Sequence, residues 1–250
     1  MAIISWNKKY TETLAKTLER FRQKYPEYNN EKVTYAGRLD PMAEGLLMLL
    51  TGNDVHKKND FLNLDKTYEV EFFFGAETDT YDVLGLINKT THLSDNFDLE
   101  LEKVLAKKIG KFKQAYPPYS SKPVMGKPLF VWSRENKLNE IEIPEREVNI
   151  FDISYLDKKE IDNLEFKQAL IDSINAVDGD FRQDQIIKKW QHYFETAQTS
   201  QSFIIYSMRV QASSGTYMRS LVVDIGKRLG ISACTLKIKR TEVGKFKLNI

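Results

Sequence analysis

Residues 66–74 carry the pattern that most restricts the fold of this chain. In KTYEVEFFF, Glu69 and Glu71 alternate with apolar positions. The apolar positions that share one face are Tyr68, Val70, Phe72 and Phe74. Because successive side chains of a strand point to opposite faces, this alternation predicts a β-strand with one face on a core. The chain is therefore expected to contain a sheet that a second layer covers.

Further segments predict a mixture of helices and strands. Residues 10–24 have helical apolar spacing, with Thr11 as the expected N-cap. The run LLMLLTG is compatible with a buried strand or a short buried helix, and its periodicity leaves both open. Helices are also expected at 97–110 and from Tyr217 to about Leu229, strands at 146–156, from Ser202 and at the C-terminal end, and an ordered loop or edge segment at 116–129.

Composition indicates one domain that carries an insertion. The chain has 250 residues, of which 42% are hydrophobic, enough for one sizeable core. Residues 157–200 are polar, charged and helix-prone, which predicts an insertion of two or three helices between core strands. Lys188, Lys189, Trp190 and His192 make an RNA-gripping role for it as plausible as a solvated helical excursion.

Other global features limit the class of protein. The one cysteine, Cys234, excludes an intramolecular disulfide and suits a reducing compartment. No apolar run has the length of a membrane span and no signal peptide is evident, so a cytoplasmic location is expected. The histidines His56, His92 and His192 are scattered, which argues against a zinc site.

Charge is concentrated near the C-terminal end. The whole chain carries only +2, but residues 209–247 hold nine Lys and Arg against two carboxylates, a local charge of +7. Clustered cations can neutralise RNA phosphates, whereas a solvated basic face is the equally plausible alternative.

Three segments contain residues suited to chemistry, although each has an ordinary explanation when taken alone. In GRLDPMAEG, Pro41 restricts Asp40 to extended or turn conformations, which can hold one carboxylate at a loop tip. The same dipeptide is more often a simple turn. Tyr68 is either a core residue or an aromatic surface for an RNA base. Residues 75–82, GAETDTYD, lack EF-hand spacing, which favours a polar turn over a metal site.

A fourth segment, SSGTYMRS, leads from a strand into a helix N-terminus. Arg219 falls in its first turn, where a cation opposes the helix dipole. This position suggests a compensating carboxylate partner nearby, whereas a surface arginine is the favoured explanation when Arg219 is taken alone.

Taken together and in order, these segments resemble the TruB family of tRNA pseudouridine-55 synthases. The matching motifs cover most of residues 33–134 and 202–246: GRLDPMAEGLLMLLTG, KTYEVEFFFGAETDTYDVLG, PPYSSKPVMGKPLFVWSRE and SSGTYMRSLVVDIGKRLG. Each motif is weak alone, but four in sequence are specific. The resemblance implies an α/β (α+β) pseudouridine synthase fold, with a mixed, mostly antiparallel sheet and flanking helices.

The resemblance also implies roles for individual residues. Asp40 aligns with the catalytic nucleophile, Tyr68 with the tyrosine that stacks on the base and takes part in proton transfer, and Arg219 with the arginine that pairs with the nucleophile. Tyr217 and Ile238 align with residues that line the uridine pocket. We therefore expect a buried, arginine-partnered carboxylate at position 40 that faces the ring of Tyr68. The family acts on the T-loop of tRNA without cofactor or metal and is typically monomeric.

This sequence departs from the family pattern at three places. The N-terminal Lys-Pro-x-Gly-x-(Thr/Ser) motif is largely lost in SWNKKYTETL. Tyr35 occupies the position of a histidine associated with base flipping, where it could still stack or wedge. Residues 1–250 are expected to form a single catalytic domain without the C-terminal PUA-like domain of the family.

Two other functions remain open at this level. An RNA-binding module that assists tRNA folding is disfavoured by the intact set of Asp40, Tyr68 and Arg219. A synthase that acts on another RNA, or within a guide-RNA complex, is disfavoured by the short chain.

Overall fold

The computed structural model describes residues 2–91, 98–196 and 202–248. Its strands are β1 (Ile3–Lys8), β2 (Val33–Ala36), β3 (Ala43–Thr51), β4 (Lys66–Phe74), β5 (Ala76–Thr78), β6 (Ile87–Thr90), β7 (Gly110–Ala115), β8 (Pro123–Val124), β9 (Lys127–Pro128), β10 (Glu145–Asp162), β11 (Ser202–Ala212), β12 (Ala233–Val243) and β13 (Phe246–Lys247). Its α-helices are α1 (Leu14–Lys24), α2 (Lys58–Leu62), α3 (Asp98–Ala106), α4 (Leu129–Arg134), α5 (Asn163–Asn175), α6 (Gln183–Thr196) and α7 (Met218–Leu229). Short 3₁₀ helices occupy Pro26–Tyr28, Gly52–Lys57 and Leu138–Glu140.

In the described part of the chain, nine strands form one sheet in the order β1-β3-β12-β4-β11-β10-β7, with β2 paired to β3 and β13 paired to β12. Strands β3 and β12 run parallel, and the other pairings of this sheet are antiparallel. The predicted α/β class with a mixed, mostly antiparallel sheet and flanking helices is therefore confirmed. The alternation in 66–74 is confirmed as strand β4, which lies in the interior of the sheet.

The two faces of β4 pack against different layers, although Glu69 remains exposed. Tyr68, Val70, Phe72 and Phe74 belong to the core cluster that α3 and α7 cover. Phe73 points to the opposite face, where it packs against the two helices α5 and α6, called here the helical pair. Strand alternation predicted the first layer, whereas the second depends on a segment about ninety residues further along the chain.

The helical pair is attached through aromatic side chains. Phe73 lies 5.1 Å from Phe166 and 5.9 Å from Trp190, measured between ring centroids. Trp190 is fully buried and its Nε1 donates to the carbonyl oxygen of Val83 at 3.0 Å. Trp190 is thus a core residue and does not grip RNA. The polar neighbours on the same helix remain exposed: Lys188, Lys189 and His192.

Several predicted boundaries needed correction. Helix α1 begins at Leu14, because the side chain of Thr13, not that of Thr11, accepts a hydrogen bond from the N–H of Lys16. Residues 46–51 of the run LLMLLTG belong to β3, which settles the choice in favour of a strand, and Gly52 begins the following 3₁₀ helix. Residues 157–162, predicted as part of a helical insertion, extend β10, and 197–200 lie outside the described residues.

The remaining boundaries differ by a few residues. Helix α3 ends at Ala106 rather than at 110, and residue 97 lies outside the described residues, as does His92. Tyr217 is the N-cap of α7 rather than its first residue. Among the described residues, no helix is long and apolar enough to cross a bilayer, and no group of three or more His, Cys, Asp or Glu side chains could hold a metal ion.

Candidate active site

A cavity of about 740 Å³ brings the chemically suited segments together. This volume falls within the range of ligand pockets in proteins. Residues from these ranges line it: 37–43, 66–68, 80–84, 119–121, 214–219 and 238–240. Segments that are far apart in sequence therefore share one concave surface.

The loop that carries Asp40 is fixed by its backbone. The N–H of Ala43 donates to the carbonyl of Asp40 at 3.0 Å, which closes a turn just before β3. Gly37 has φ +75°, a conformation that side chains other than glycine rarely adopt, and its carbonyl accepts from Arg240 Nη2 at 3.0 Å. The predicted rigid presentation of one carboxylate at a loop tip agrees with this geometry.

Residues of the N-terminal segment donate hydrogen bonds to the loop that carries Asp40. Lys8 is fully buried, and its Nζ donates to the carbonyl oxygens of Pro41 and Ala43 at 3.4 and 2.5 Å. The backbone N–H of Thr11 also donates to the carbonyl of Pro41, at 3.0 Å. Burial lowers the pKa of Lys8 to about 8, although the charges of Glu12 and Asp40 act in the opposite direction. Sequence reasoning missed Lys8, because a lysine at a strand end resembles a solvated one.

Arg219 lies between two carboxylates. Its Nε is 2.9 Å from Oδ2 of Asp40 and 3.7 Å from Oδ2 of Asp82. Burial acts to lower the pKa of Arg219, but the two carboxylates outweigh it and raise that pKa, which keeps the guanidinium charged. Arg219 at the start of α7 therefore has two carboxylate partners, Asp40 and Asp82, where one was expected.

The two carboxylates differ in exposure. The side chain of Asp40 is 42% exposed and faces the cavity, so the expectation of a buried carboxylate at this position is wrong. The buried one is Asp82, which accepts hydrogen bonds from Thr80 Oγ1 at 2.8 Å and from the N–H of Leu84 at 3.0 Å. Burial raises the pKa of Asp82 to about 6; Arg219 lowers it and Asp40 raises it further.

Asp82 was not singled out from the sequence. In GAETDTYD it was one of several polar residues of an expected turn, and spacing alone does not show which carboxylate turns inward. The two threonines before it could have indicated an ordered turn around Asp82, because the side chains of Thr78 and Thr80 both donate to its carbonyl oxygen.

Tyr68 lines the cavity from strand β4. It is 9% exposed, and burial raises the pKa of its hydroxyl, while the charge of Arg240 and a hydrogen bond from it act in the opposite direction. Arg240 is itself buried and donates from Nε to the carbonyl of Leu46 at 2.7 Å. The aromatic ring and Asp40 thus border the same space, and Tyr68 is held as the neutral phenol.

Tyr217 and Ile238 also border this space. Tyr217 precedes α7, and its N–H donates to Oε1 of Gln114 at 2.8 Å. Burial raises the pKa of Tyr217, and the charge of Asp40 adds to this effect. Ile238 lies beside Ala43 in the parallel β3–β12 pair, so it reaches the cavity next to the Asp40 loop.

Tyr35 lies elsewhere. It is on β2 opposite Leu49, half-buried against the cluster that contains Trp6 and Phe21, and Lys58 Nζ lies 5.4 Å from its ring centroid. It is not among the residues that line the cavity, so the structure does not bring it together with Asp40 and Tyr68.

The cavity is strongly cationic. Two carboxylates, Asp40 and Asp82, face an excess of basic side chains. These are Arg38, Lys66, Arg134, Arg146, Arg182, Arg219 and Arg240. Such a surface attracts a polyanion such as RNA.

Solved structures share this architecture. The chain is similar to a chain of a Cbf5-Nop10-Gar1 complex, with a TM-score of 0.58, 16% identity, and coverage of 99% of this chain and 50% of that chain. It is also similar to a chain of an H/ACA RNP bound to a substrate RNA that contains 2'-deoxyuridine, with a TM-score of 0.55, 16% identity and coverage of 99% and 49%. At this identity the likeness concerns the fold, which is that of the pseudouridine synthases.

Sequence comparison narrows this class to one family. Residues 23–170 match the TruB family pseudouridylate synthase (N terminal domain). The chain is 32% identical over 223 residues to tRNA pseudouridine synthase B of Francisella tularensis subsp. tularensis (strain WY96-3418), and 30% identical over 222 residues to the protein of that name from Borreliella afzelii (strain PKo). The chain belongs to the TruB family. These alignments cover 89% and 88% of this chain but 59% and 63% of the two relatives, so the chain spans about three fifths of their length.

Proposed function

We propose that this protein isomerises uridine to pseudouridine in the T-loop of tRNA, at position 55, with Asp40 as the nucleophile. The observation that carries the proposal is the accessible carboxylate of Asp40 in a cationic cavity, 2.9 Å from the buried guanidinium of Arg219. Membership of the TruB family and the names of the relatives support the same reaction.

The proposed reaction is an isomerisation, so uridine and pseudouridine contain the same atoms at the same oxidation level. The C1′–N1 bond of uridine breaks, the uracil turns, and a C1′–C5 bond forms; C5 then loses its proton and N1 gains one. An ionised Asp40 adds to the sugar or stabilises the detached fragments. Arg219 Nε lies 2.9 Å from this carboxylate and supplies its counter-charge. The balance requires no oxidant, reductant or co-reactant, so the proposed reaction is cofactor-free.

The cavity wall supplies the rest of the machinery. A base that leaves the RNA stack loses a few kcal/mol of stacking, which the ring of Tyr68 offsets in part. Tyr68 also serves in the proton transfer at C5, and Tyr217 and Ile238 border the uracil. The basic side chains that line the cavity hold the phosphate backbone of the RNA.

Release of tritium from RNA that contains [5-³H]uridine tests the proposal, because the C5 hydrogen must leave. We expect release from a tRNA transcript and from an isolated T-stem-loop without partner proteins, at one uridine per molecule. Asp40→Asn and Asp40→Ala should abolish release while RNA binding persists. Asp60→Asn, which removes an exposed carboxylate of α2 outside the cavity, should behave as wild type.

Three results would count against this proposal. Turnover by either Asp40 variant would remove that residue from the mechanism. Binding to T-stem-loops without product from any RNA would point to an RNA-binding module, and activity only with a guide RNA would point to a guide-dependent synthase. Sedimentation of the protein alone tests the accompanying expectation that it acts as a monomer.

A further inference from the structure

The helical pair reaches the active-site cavity through the loop that joins its two helices. Phe181 and Arg182, at the end of this loop, line the cavity, although α5 and α6 pack on the far face of the sheet. Arg182 has φ +66°, a left-handed conformation that costs non-glycine residues free energy. The carbonyl of Arg182 accepts from the N–H groups of Gln185 and Ile186, both at 3.0 Å, which fixes this residue at the start of α6.

The guanidinium of Arg182 contacts Asp79 and Tyr119, and Tyr119 lines the cavity. Its Nη1 and Nη2 lie 2.8 and 3.4 Å from the carboxylate oxygens of Asp79, a two-pronged ion pair. Its central carbon lies 4.7 Å from the ring centroid of Tyr119. The side chains of Arg182 and Asp79 are 23% and 26% exposed, so water only partly screens the pair.

Arg219 uses the same two segments from the other side. Its Nη1 donates to the carbonyl of Thr80, the residue after Asp79, and its Nη2 donates to the carbonyl of Tyr119 at 3.1 Å. Two arginines from distant parts of the chain are therefore joined twice, once through residues 79–80 and once through residue 119. Arg182 binds the side chains of these segments and Arg219 binds their backbone.

We propose that Arg182 is a positioning residue for the active site: it holds the two carbonyl acceptors of Arg219 and thereby fixes the guanidinium that orients Asp40. This inference rests on the proposed isomerase function. The inference gives the helical pair a part in catalysis, because Arg182 of this pair would hold Arg219, the residue that contacts Asp40. Misplacement of a reacting group by about 1 Å can lower a rate about 100-fold, so a loosened anchor should be visible in the chemical step.

Kinetics of Arg182→Ala separate positioning from RNA contact. At saturating RNA, the single-turnover rate should fall roughly tenfold or more, while the dissociation constant for the T-stem-loop changes less than about twofold. Lys167→Ala, which removes the ion pair of α5 with Glu195 of α6 (3.6 Å) outside the cavity lining, is the matched control and should leave both quantities unchanged. Weaker binding with an unchanged rate would show that Arg182 contacts RNA and would overturn the proposal.

Asp79→Asn breaks the same ion pair from the opposite side. If the ion pair of Arg182 and Asp79 acts as one unit, Asp79→Asn should also lower the single-turnover rate. The double variant should then be no slower than the slower single variant. Multiplied effects in the double variant would mean that the two residues act independently. Urea unfolding of each variant checks that the fold persists.

A readout without turnover keeps this inference separate from the proposed function. In ¹⁵N-labelled protein, the Nε–H resonance of Arg219, identified by its loss in Arg219→Lys, should exchange slowly with water because the guanidinium is buried. Arg182→Ala should accelerate this exchange several-fold, and Lys167→Ala should not. An unchanged exchange rate in Arg182→Ala would overturn the positioning role, even if the wild type proved inactive on every RNA.

Discussion

Three charged side chains meet at the centre of the cavity, and their burial sets their roles. Arg219 and Asp82 are enclosed, whereas the side chain of Asp40 is open to the cavity. A buried cation can remain charged only with nearby counter-charges, and Asp82 supplies one of them from inside the fold when the pH is above its pKa of about 6. If Asp40 acts on a substrate as proposed, Arg219 therefore still keeps one carboxylate partner.

The pH dependence of stability should report Asp82. Its pKa is raised from 3.8 to about 6 in the folded state, so the folded protein binds more protons than the unfolded chain between these values. The contribution of Asp82 to the free energy of unfolding therefore falls as pH rises from about 4 to about 6, by on the order of 2–3 kcal/mol, and is constant above that.

Asp82→Asn, which resembles the protonated side chain, should lack this dependence. Urea unfolding at a series of pH values gives the difference between the two proteins, in which other titrating groups largely cancel. We expect wild type to lose stability relative to Asp82→Asn as pH rises from 4 to 7. Parallel curves would contradict the raised pKa.

At the level of single residues, sequence motifs identified Asp40, Tyr68 and Arg219 as candidates because each occupies a recognisable local pattern. Asp82 and Lys8 were missed because their importance comes from burial, which a polar turn and a strand end do not reveal. Tyr35 was expected at the substrate, but the pairing of β2 with β3 directs its ring to the Trp6 cluster. A one-residue change of register would reverse that direction, and register is not readable from four residues.

Among the elements, the parallel pair of β3 and β12 determines the shape of the site. It places Ala43, three residues after Asp40, beside Ile238, and it brings Arg240 beneath the Asp40 loop. The close contact depends on Gly45, which has φ +101° and lies opposite Arg240. A Cβ atom there would be 2.3 Å from the backbone oxygen of Arg240, a group that cannot rotate away.

Gly45→Ala should therefore destabilise the protein by about 3 kcal/mol or more, through both backbone strain and overlap. Gly110→Ala is a matched control, because Gly110 has a similar φ of +108° but a Cβ added there would meet no atom within 4 Å. It should show the strain alone, about 1 kcal/mol. Denaturant unfolding measures both, and equal losses would show that the approach of β12 is not the cause.

The type of most elements followed from local pattern, while the extent of β10 did not. Its residues 157–160, Asp-Lys-Lys-Glu, have no strand preference of their own. They are held by pairing with β11, as in Lys159 opposite Ile205. Tertiary hydrogen bonding thus overrides local propensity where a partner strand is already fixed by the core.

For the whole molecule, the position of charge matters more than its total. The basic stretch 209–247 suggested an RNA-binding face, yet Arg219 and Arg240 are buried. Four others pair with carboxylates of the chain: Arg228, Lys237, Lys239 and Lys247. The basic surface of the cavity is assembled mainly from other segments, which linear charge counting cannot show.

Arg146 gives a test of RNA binding at this scale. It is exposed at the cavity rim, 3.4 Å from the hydroxyl of Ser214. If it neutralises one phosphate, Arg146→Ala should weaken binding of the T-stem-loop and reduce the slope of log K against log salt by about 1. Lys227→Ala, which removes an exposed cation of α7 outside the cavity lining, is the control. An unchanged slope would exclude a phosphate contact.

The place of β12 in the sheet bears on how the protein is made. This strand, residues 233–243, lies between β3 and β4, yet it is translated long after both. While a nascent chain still lacks it, those two strands have no shared neighbour and the pocket lacks the wall formed by residues 238–240. Sheets closed by such distant pairings form slowly. On the ribosome, the protein should therefore acquire its native sheet only after residue 243 has left the exit tunnel, so premature stops before that point should yield products that chaperones or proteases capture.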